Sequence, residues 1–343
     1  MGAPSKVRRL PVIARGASTN LALLGLLAAA FITGWLAFAF ATAPARWSLV
    51  VHAAAGFAIL ALLPWKSMIA RRGLERPRPG RWASVLLGVL VLVSLGAGLL
   101  HSTGLLVDWG SLTAMDFHVG AALTAVPLAI WHVAVRRVRV RPTDLSRRRM
   151  LRGGAALATA AAAYAASEMV VRITGLPGAT RRFTGSYESG SFRPDLMPVS
   201  SWMFDAIPSI DRQAWTLQAG GREWTYDELF AFDDQVTATL DCTGGFYSTQ
   251  EWGGARVDRL LGGADGTSIR VTSSTGYGRR FPFENARSMF LATRVGGQAL
   301  DAGHGFPARL VVPDARGFWW VKWVTSIEAD ALPDWWQSPF PLQ

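Results

Sequence analysis

Four apolar stretches, about Leu21–Ala41, Ser48–Trp65, Trp82–His101 and Met115–Val135, fill the first part of the chain and are parted by charged or turn-rich segments. Each approaches the ~20 residues that a helix needs to cross ~30 Å of hydrocarbon, so the pattern predicts four spans and not merely an export signal. A fifth stretch, Gly153–Val171, is less apolar, rich in Ala and Gly, and bordered by Glu168 and Arg172. Beyond residue 175 the apolar positions come in short runs. Alternation at Trp215–Gln218, Thr237–Leu240 and Ser268–Val271 predicts half-buried strands, and the continuous runs Ala308–Pro313 and Trp319–Val324 predict buried ones. Two short helices are expected, one at Thr225–Phe230, which opens with an N-cap and an acidic first turn, and one at Pro282–Leu291. The expected architecture is a membrane all-α helical bundle of four to five spans followed by an α+β, strand-rich domain. Its divisions fall at 1–145, 146–174 and 175–343.

Charge changes this picture by giving it a direction. The 343 residues carry 35 Lys+Arg against 24 Asp+Glu, a formal +11. Residues 1–174 hold 20 basic and 5 acidic side chains, a balance of +15, whereas residues 175–343 hold 15 and 19, a balance of −4. A basic excess confined to the apolar half reads as membrane topology, and no nucleic-acid partner is expected. Lys6, Arg8, Arg9 and Arg15 precede the first span. Lys66, Arg71, Arg72, Arg76, Arg78 and Arg81 follow the second, and Arg136, Arg137, Arg139 and Arg141 follow the fourth. Positive-inside bias places all of these in the cytoplasm. Trp47, Trp65, Trp82 and Trp109 fall near the span ends, where interfacial aromatics belong. Ser146-Arg147-Arg148-Arg149-Met150-Leu151-Arg152, ahead of the mildly apolar fifth stretch, resembles the twin-arginine signal that exports folded domains. Both lines of argument give a multi-pass protein of the cell membrane, in contact with membrane lipid, with its C-terminal domain outside the cytoplasm. Whether the fifth stretch stays as a span or is cut near Ala163-Tyr164-Ala165 is left open.

Four of the five histidines lie in the apolar half: His52 near the start of the second span, His101 at the end of the third, His118 and His132 in the fourth. Ionisable groups within spans are costly and are commonly functional. Paired imidazoles on facing helices serve as axial ligands of b-type haem iron. His118 and His132 stand roughly 21 Å apart along one helical face, a spacing that resembles dihaem four-helix cytochromes of the ferric-reductase-like kind. On the inner side His132 lacks a histidine partner on another span, so one outer haem b is expected. Its iron ligands would be His52 and His118, with His101 as the alternative.

The exported half holds the lone cysteine, Cys242, which excludes a disulfide framework and a cysteine zinc cluster within one chain. It holds no GxGxxG or Walker loop, HExxH or Gly-x-Ser-x-Gly elbow. Instead it carries an ordered series: Leu240-Asp241-Cys242-Thr243-Gly244-Gly245 followed by Trp252–Leu261, then Ser274-Thr275-Gly276-Tyr277-Gly278-Arg279-Arg280-Phe281-Pro282, then His304–Pro313 and Val321-Lys322-Trp323. Over about residues 185–330 this series resembles the molybdopterin domain of the sulfite oxidase family, including bacterial periplasmic members that reduce protein methionine sulfoxide.

The resemblance implies a molybdenum-molybdopterin cofactor, with Cys242 as the protein thiolate on molybdenum. A soft thiolate suits a redox-active metal, and the glycines after it allow close backbone approach. It also implies Tyr277 as a catalytic proton donor or orienting group. Thr243, Gly244, His304, Arg309 and Lys322 would contact the cofactor, and Arg193 corresponds loosely to an upstream family segment. Where sulfite-oxidising members continue from the cysteine with Ala-Gly-Asn-Arg-Arg, this chain has Thr243-Gly244-Gly245-Phe246-Tyr247. Trp319 and Trp320 stand near the place of a further arginine. Two cations suited to a small dianion are therefore missing. The expected activity is oxygen-atom transfer, with S-oxide or N-oxide reduction on a small molecule or protein preferred to sulfite oxidation, and with electrons exchanged with the quinone pool or another redox partner. A monomer is expected. The alternative is a transmembrane electron-transfer cytochrome whose exported domain only binds a partner.

Overall fold

The computed structural model describes residues 16–40, 42–75, 80–109, 112–136, 147–201 and 205–338. Lys6, Arg8, Arg9, Arg15, Arg76, Arg78, Arg137, Arg139, Arg141 and Ser146, which entered the topology argument, lie outside the described residues. The chain divides into two compact units, one of Met1–Trp35 and Trp47–Ala179, the other of Leu36–Arg46 and Thr180–Gln343.

The first unit is helical: α1 (Gly16–Ala39), α2 (Ala43–Leu74), α3 (Arg81–Thr103), α4 (Ala114–Val135) and α5 (Arg147–Ile173). All five are long and apolar enough to cross a membrane. Their outer faces leave large apolar side chains such as Leu86, Val89, Leu92 and Ile130 exposed, a surface suited to lipid and not to water. α2 runs well past the expected end at Trp65 with Pro64 inside it, and α4 contains Pro127. Within a packed bundle neighbouring groups absorb the carbonyl that a helical proline frees. The short strands β1 (Asp108–Trp109) and β2 (Leu112–Thr113) pair between α3 and α4. Thr113 then caps α4, accepting from the Asp116 backbone N–H while the Asp116 carboxylate accepts in return.

The second unit contains two sheets. In the first, β7 (Phe246–Arg256) is the central strand, pairing antiparallel with β6 (Asp234–Asp241) and β10 (Phe290–Val295) and parallel with β3 (Tyr187–Glu188). Strands β11 (Gln298–Ala299) and β12 (Arg309–Val311) both add to β10. The second sheet has the order β5 (Arg222–Thr225), β4 (Thr216–Ala219), β13 (Val324–Asp330), β8 (Ser268–Ser273), β9 (Gly278–Pro282). Helix α6 (Tyr226–Phe230) begins with the expected N-cap, Thr225, which forms a capping box with Glu228, and α7 (Val257–Leu261) follows β7. Trp252, Leu291, Leu310, Leu217 and Ile327 are fully buried in the core.

Two expected elements differ. Trp319–Val324 is no strand: Gly317–Trp319 forms a 3-10 turn and β13 begins only at Val324. The run is apolar because Trp320, Val321 and Trp323 are buried, and burial alone does not specify extended backbone. Pro282–Leu291 becomes a 3-10 turn at Phe283–Arg287 and then the start of β10, since Phe290 and Leu291 pair with Val311 and Leu310.

Candidate active site

Cys242 is the first residue of the β6–β7 hairpin loop. The loop closes through Cys242 N–H to Phe246 O (2.8 Å) and Gly245 N–H to Cys242 O (3.1 Å), with Gly245 at φ +98°, a conformation open to glycine and strained for other residues. Behind it Asp241 is 1% exposed and accepts from the hydroxyls of Thr184 and Ser186, both at 2.7 Å. Arg182 and Arg316 approach the same carboxylate at 3.3 and 3.5 Å. Arg316 also donates to the Cys242 carbonyl at 3.0 Å, so the loop is held from behind by a buried, charged anchor. The sulfur itself lies 3.1 Å from Ser200 Oγ and receives the Gly244 N–H at 3.3 Å.

The thiol opens onto a cavity with about 640 Å³ of empty space including its mouth. Thr243, Tyr277, Arg309 and Lys322 line it together with Cys242, so the fold brings five of the expected residues to one place. Tyr277 stands at the end of the β8–β9 turn and donates to Phe318 O at 2.5 Å, and burial pushes its phenol well above the ordinary range. Arg309 is 2% exposed, donates to His304 O at 3.1 Å and lies near the faces of Trp252 and Trp320. Burial lowers it to about 10. Lys322 donates to Ser200 O (2.6 Å) and Gly303 O (2.5 Å), and burial, aided by the neighbouring Arg309 charge, lowers its amine to about 7.

Two expected contacts are placed elsewhere. The His304 ring is satisfied on both sides, by Asp301 Oδ2 at 2.5 Å and Met197 O at 3.0 Å, so its link to the cavity is its carbonyl, which holds Arg309. Arg193 does not line the cavity. It stands exposed, 3.9 Å from Asp195. Ser200, Asp205 and Arg316 contribute to the site or its anchor and were not singled out from sequence. The first two lie in an irregular segment with no periodicity to read, and Arg316 resembles any loop arginine until Asp241 is seen behind the cysteine.

The residues present fit a molybdopterin cofactor. A sulfur atom accepting an N–H borders the cavity, and the buried Arg309 guanidinium keeps an Nε without a hydrogen-bond partner. A thiolate ligand and cationic donors for the pterin and its phosphate are what such a group requires.

In the helical unit His52 on α2 and His118 on α4 face each other, ring centroids 5.6 Å apart and planes at 88°. His52 Nδ1 meets Ala30 O at 2.7 Å and His118 Nδ1 meets Ser94 O at 2.7 Å, so each ring would have its Nε2 to offer to a metal. Gly34 and Gly98 make room for the rings: a Cβ at either would stand 2.9 Å from His52 Cε1 or 3.0 Å from His118 Nδ1. This donor pair fits a bis-imidazole haem iron. His101 is buried near the end of α3, and His132 Nδ1 lies 3.0 Å from Ser84 Oγ.

Residues 204–334 match the oxidoreductase molybdopterin binding domain. The mitochondrial sulfite oxidase of Rattus norvegicus is 28% identical over 176 residues, covering 38% of this chain and 32% of that protein. The sulfite oxidase of Gallus gallus is 30% identical over 142 residues, 30% of this chain and 31% of that protein. The chain thus spans about a third of the length of the relatives it matches. Among solved structures, the sulfane dehydrogenase SoxCD of Paracoccus pantotrophus matches at 28% identity and a TM-score of 0.33, over 35% of this chain and 39% of that one. The C-terminal unit therefore contains a molybdopterin-binding oxidoreductase domain. The relatives that this domain resembles are sulfite oxidases.

Proposed function

We propose that this protein is a membrane-anchored molybdenum oxidoreductase that reduces S-oxides or N-oxides outside the cytoplasm, drawing electrons from the quinone pool through a haem held by His52 and His118. The observation that carries the reading is the Cys242 thiol, set between Ser200 Oγ and the Gly244 N–H on a cavity that Tyr277, Arg309 and Lys322 also line. Arg309, Lys322, Thr243 and the Gly244 backbone would hold the pterin, with Cys242 on molybdenum. When bound, that cofactor would supply the two-electron redox change that oxygen-atom transfer requires.

The chain's own residues bind the acceptor, shield it and manage protons. Reducing a sulfoxide to the corresponding sulfide and water consumes two electrons and two protons. An anionic pterin favours the ammonium form of Lys322, whose amine burial otherwise lowers to about 7, so that this side chain can deliver a proton into the cavity. Tyr277 keeps its proton at neutral pH and donates it to Phe318 O, which fixes the phenol oxygen at the cavity wall as an acceptor. Phe318, Trp320 and Trp323 wall off the site, which limits water near the transferring atom.

The test is molybdenum and haem quantification on the intact protein, made in cells that synthesise molybdenum cofactor, followed by a screen of S-oxide and N-oxide acceptors. Both groups should be present, and Cys242→Ala should abolish turnover while leaving the reduced haem spectrum intact. Folded protein without molybdenum would overturn the enzymatic reading. Protein with molybdenum but no haem would overturn the electron route alone.

A further inference from the structure

Among the described residues, the only acidic one lining the cavity is Asp205; of the two lining cations, Arg309 donates to His304 O and keeps its Nε for the cofactor, and Lys322 donates to Ser200 O and Gly303 O. A small dianion is normally held by a guanidinium fork aimed into open space. Arg309 is instead wholly buried against Trp252 and Trp320 and donates to His304 O. Lys322 spends two of its three N–H groups on Ser200 O and Gly303 O. Opposing them, Asp205 accepts from Thr275 Oγ1 at 3.3 Å, on the same turn that carries Tyr277. The carboxylate thus borders the same cavity as the Cys242 sulfur, Tyr277 and Lys322. Pro198, Phe318 and Trp323 complete the lining with apolar surface.

We propose that Asp205 sets the charge selectivity of this cavity, admitting neutral or cationic organic oxides and repelling oxyanions such as sulfite and sulfate. The proposal rests on the reading of this cavity as the substrate site. A fixed carboxylate disfavours a dianion twice over as the site closes and its dielectric falls, leaves a neutral sulfoxide unaffected, and attracts a substrate bearing an ammonium group. Asp205 is thus a specificity residue; no proton or electron passes through it.

The experiment is calorimetric titration of the cofactor-loaded, full-length protein with sulfate, alongside steady-state kinetics on dimethyl sulfoxide, for the native protein, Asp205→Asn and Asp205→Glu. Asparagine keeps an acceptor for Thr275 and removes the charge, whereas glutamate keeps the charge. The native protein and Asp205→Glu should show no saturable sulfate binding. Asp205→Asn should bind sulfate about tenfold or more tightly relative to that limit. Equal sulfate affinity in the native protein and Asp205→Asn would overturn the proposal. So would saturable sulfate binding by the native protein alone, which needs no variant to fold. Because the titration requires no turnover, a protein inactive on every S-oxide yet showing the charge-dependent sulfate response would overturn the proposed reaction and leave the selectivity standing.

Discussion

The position of Cys242 depends on a charge that never reaches the cavity. Asp241 gathers two hydroxyls and two guanidinium groups in a place it shares with almost no solvent, and Arg316 in turn fixes the cysteine's carbonyl. Asp241→Ala should therefore leave Arg316, 4% exposed, without its principal counter-charge, at a cost of about 3–5 kcal/mol. Thermal unfolding checks this, with a lower midpoint expected for Asp241→Ala and a smaller loss for Asp241→Asn; an unchanged midpoint for the alanine variant would reject the anchor. Lys322 provides a pH dependence. Its amine is near 7 in the folded chain and about 10.4 when unfolded. Between these values the unfolded state binds more protons, so cofactor-free protein should gain stability as pH rises from about 7 to 10, and Lys322→Met should flatten that slope. An anionic cofactor favours the ammonium form, so loading should also flatten it. Cys242, Tyr277, Arg309 and Lys322 were legible because each sits in a short local motif of the ordered series. Ser200 and Asp205 were not, since tertiary folding alone brings these two residues to the cavity.

At the scale of elements, all five long helices could be read from apolar length, while their partners could not. Histidine spacing along the chain left three outer candidates for a haem pair. The antiparallel packing of α3 and α4 then sets Ser94 and Gly98 beside His118, and α1 sets Ala30 and Gly34 beside His52. The glycines give a direct test. A Cβ at Gly98 would stand 3.0 Å from His118 Nδ1, whereas at Gly96 on the same helix it would meet nothing within 4 Å. Gly98→Ala should displace the imidazole, lowering haem content or shifting the reduced spectrum, and Gly96→Ala should do neither. Equal spectra in both variants would show that ring placement does not matter to haem binding. The Trp319–Val324 segment illustrates the opposite limit of sequence reading. Its apolar run is buried as expected, but as a cavity wall around Lys322, and a buried wall and a buried strand have the same composition.

For the whole molecule, the +15 and −4 halves make the sidedness of the domain a matter of charge, yet two different physical devices can read the same arginines. Positive-inside orientation counts charge, so lysine serves as well as arginine. An export signal is recognised by a receptor, which can distinguish a planar guanidinium from an ammonium. Arg147 and Arg148 form the exposed first turn of α5, which has no acidic residue to match the helix dipole; cations there are unfavourable to the helix itself. Their presence at that end therefore calls for a reason outside helix stability. Replacing both with lysine keeps charge and helix propensity nearly constant. If the pair is an export signal, the Arg147→Lys, Arg148→Lys protein should insert its first four spans and retain haem while the C-terminal domain stays protected from protease added to spheroplasts. If the arginines act only as charge, the domain of the double variant should be cut as readily as that of the native protein. The native chain should be cleaved from outside in either case, and protection of the native domain would reverse the orientation drawn from charge.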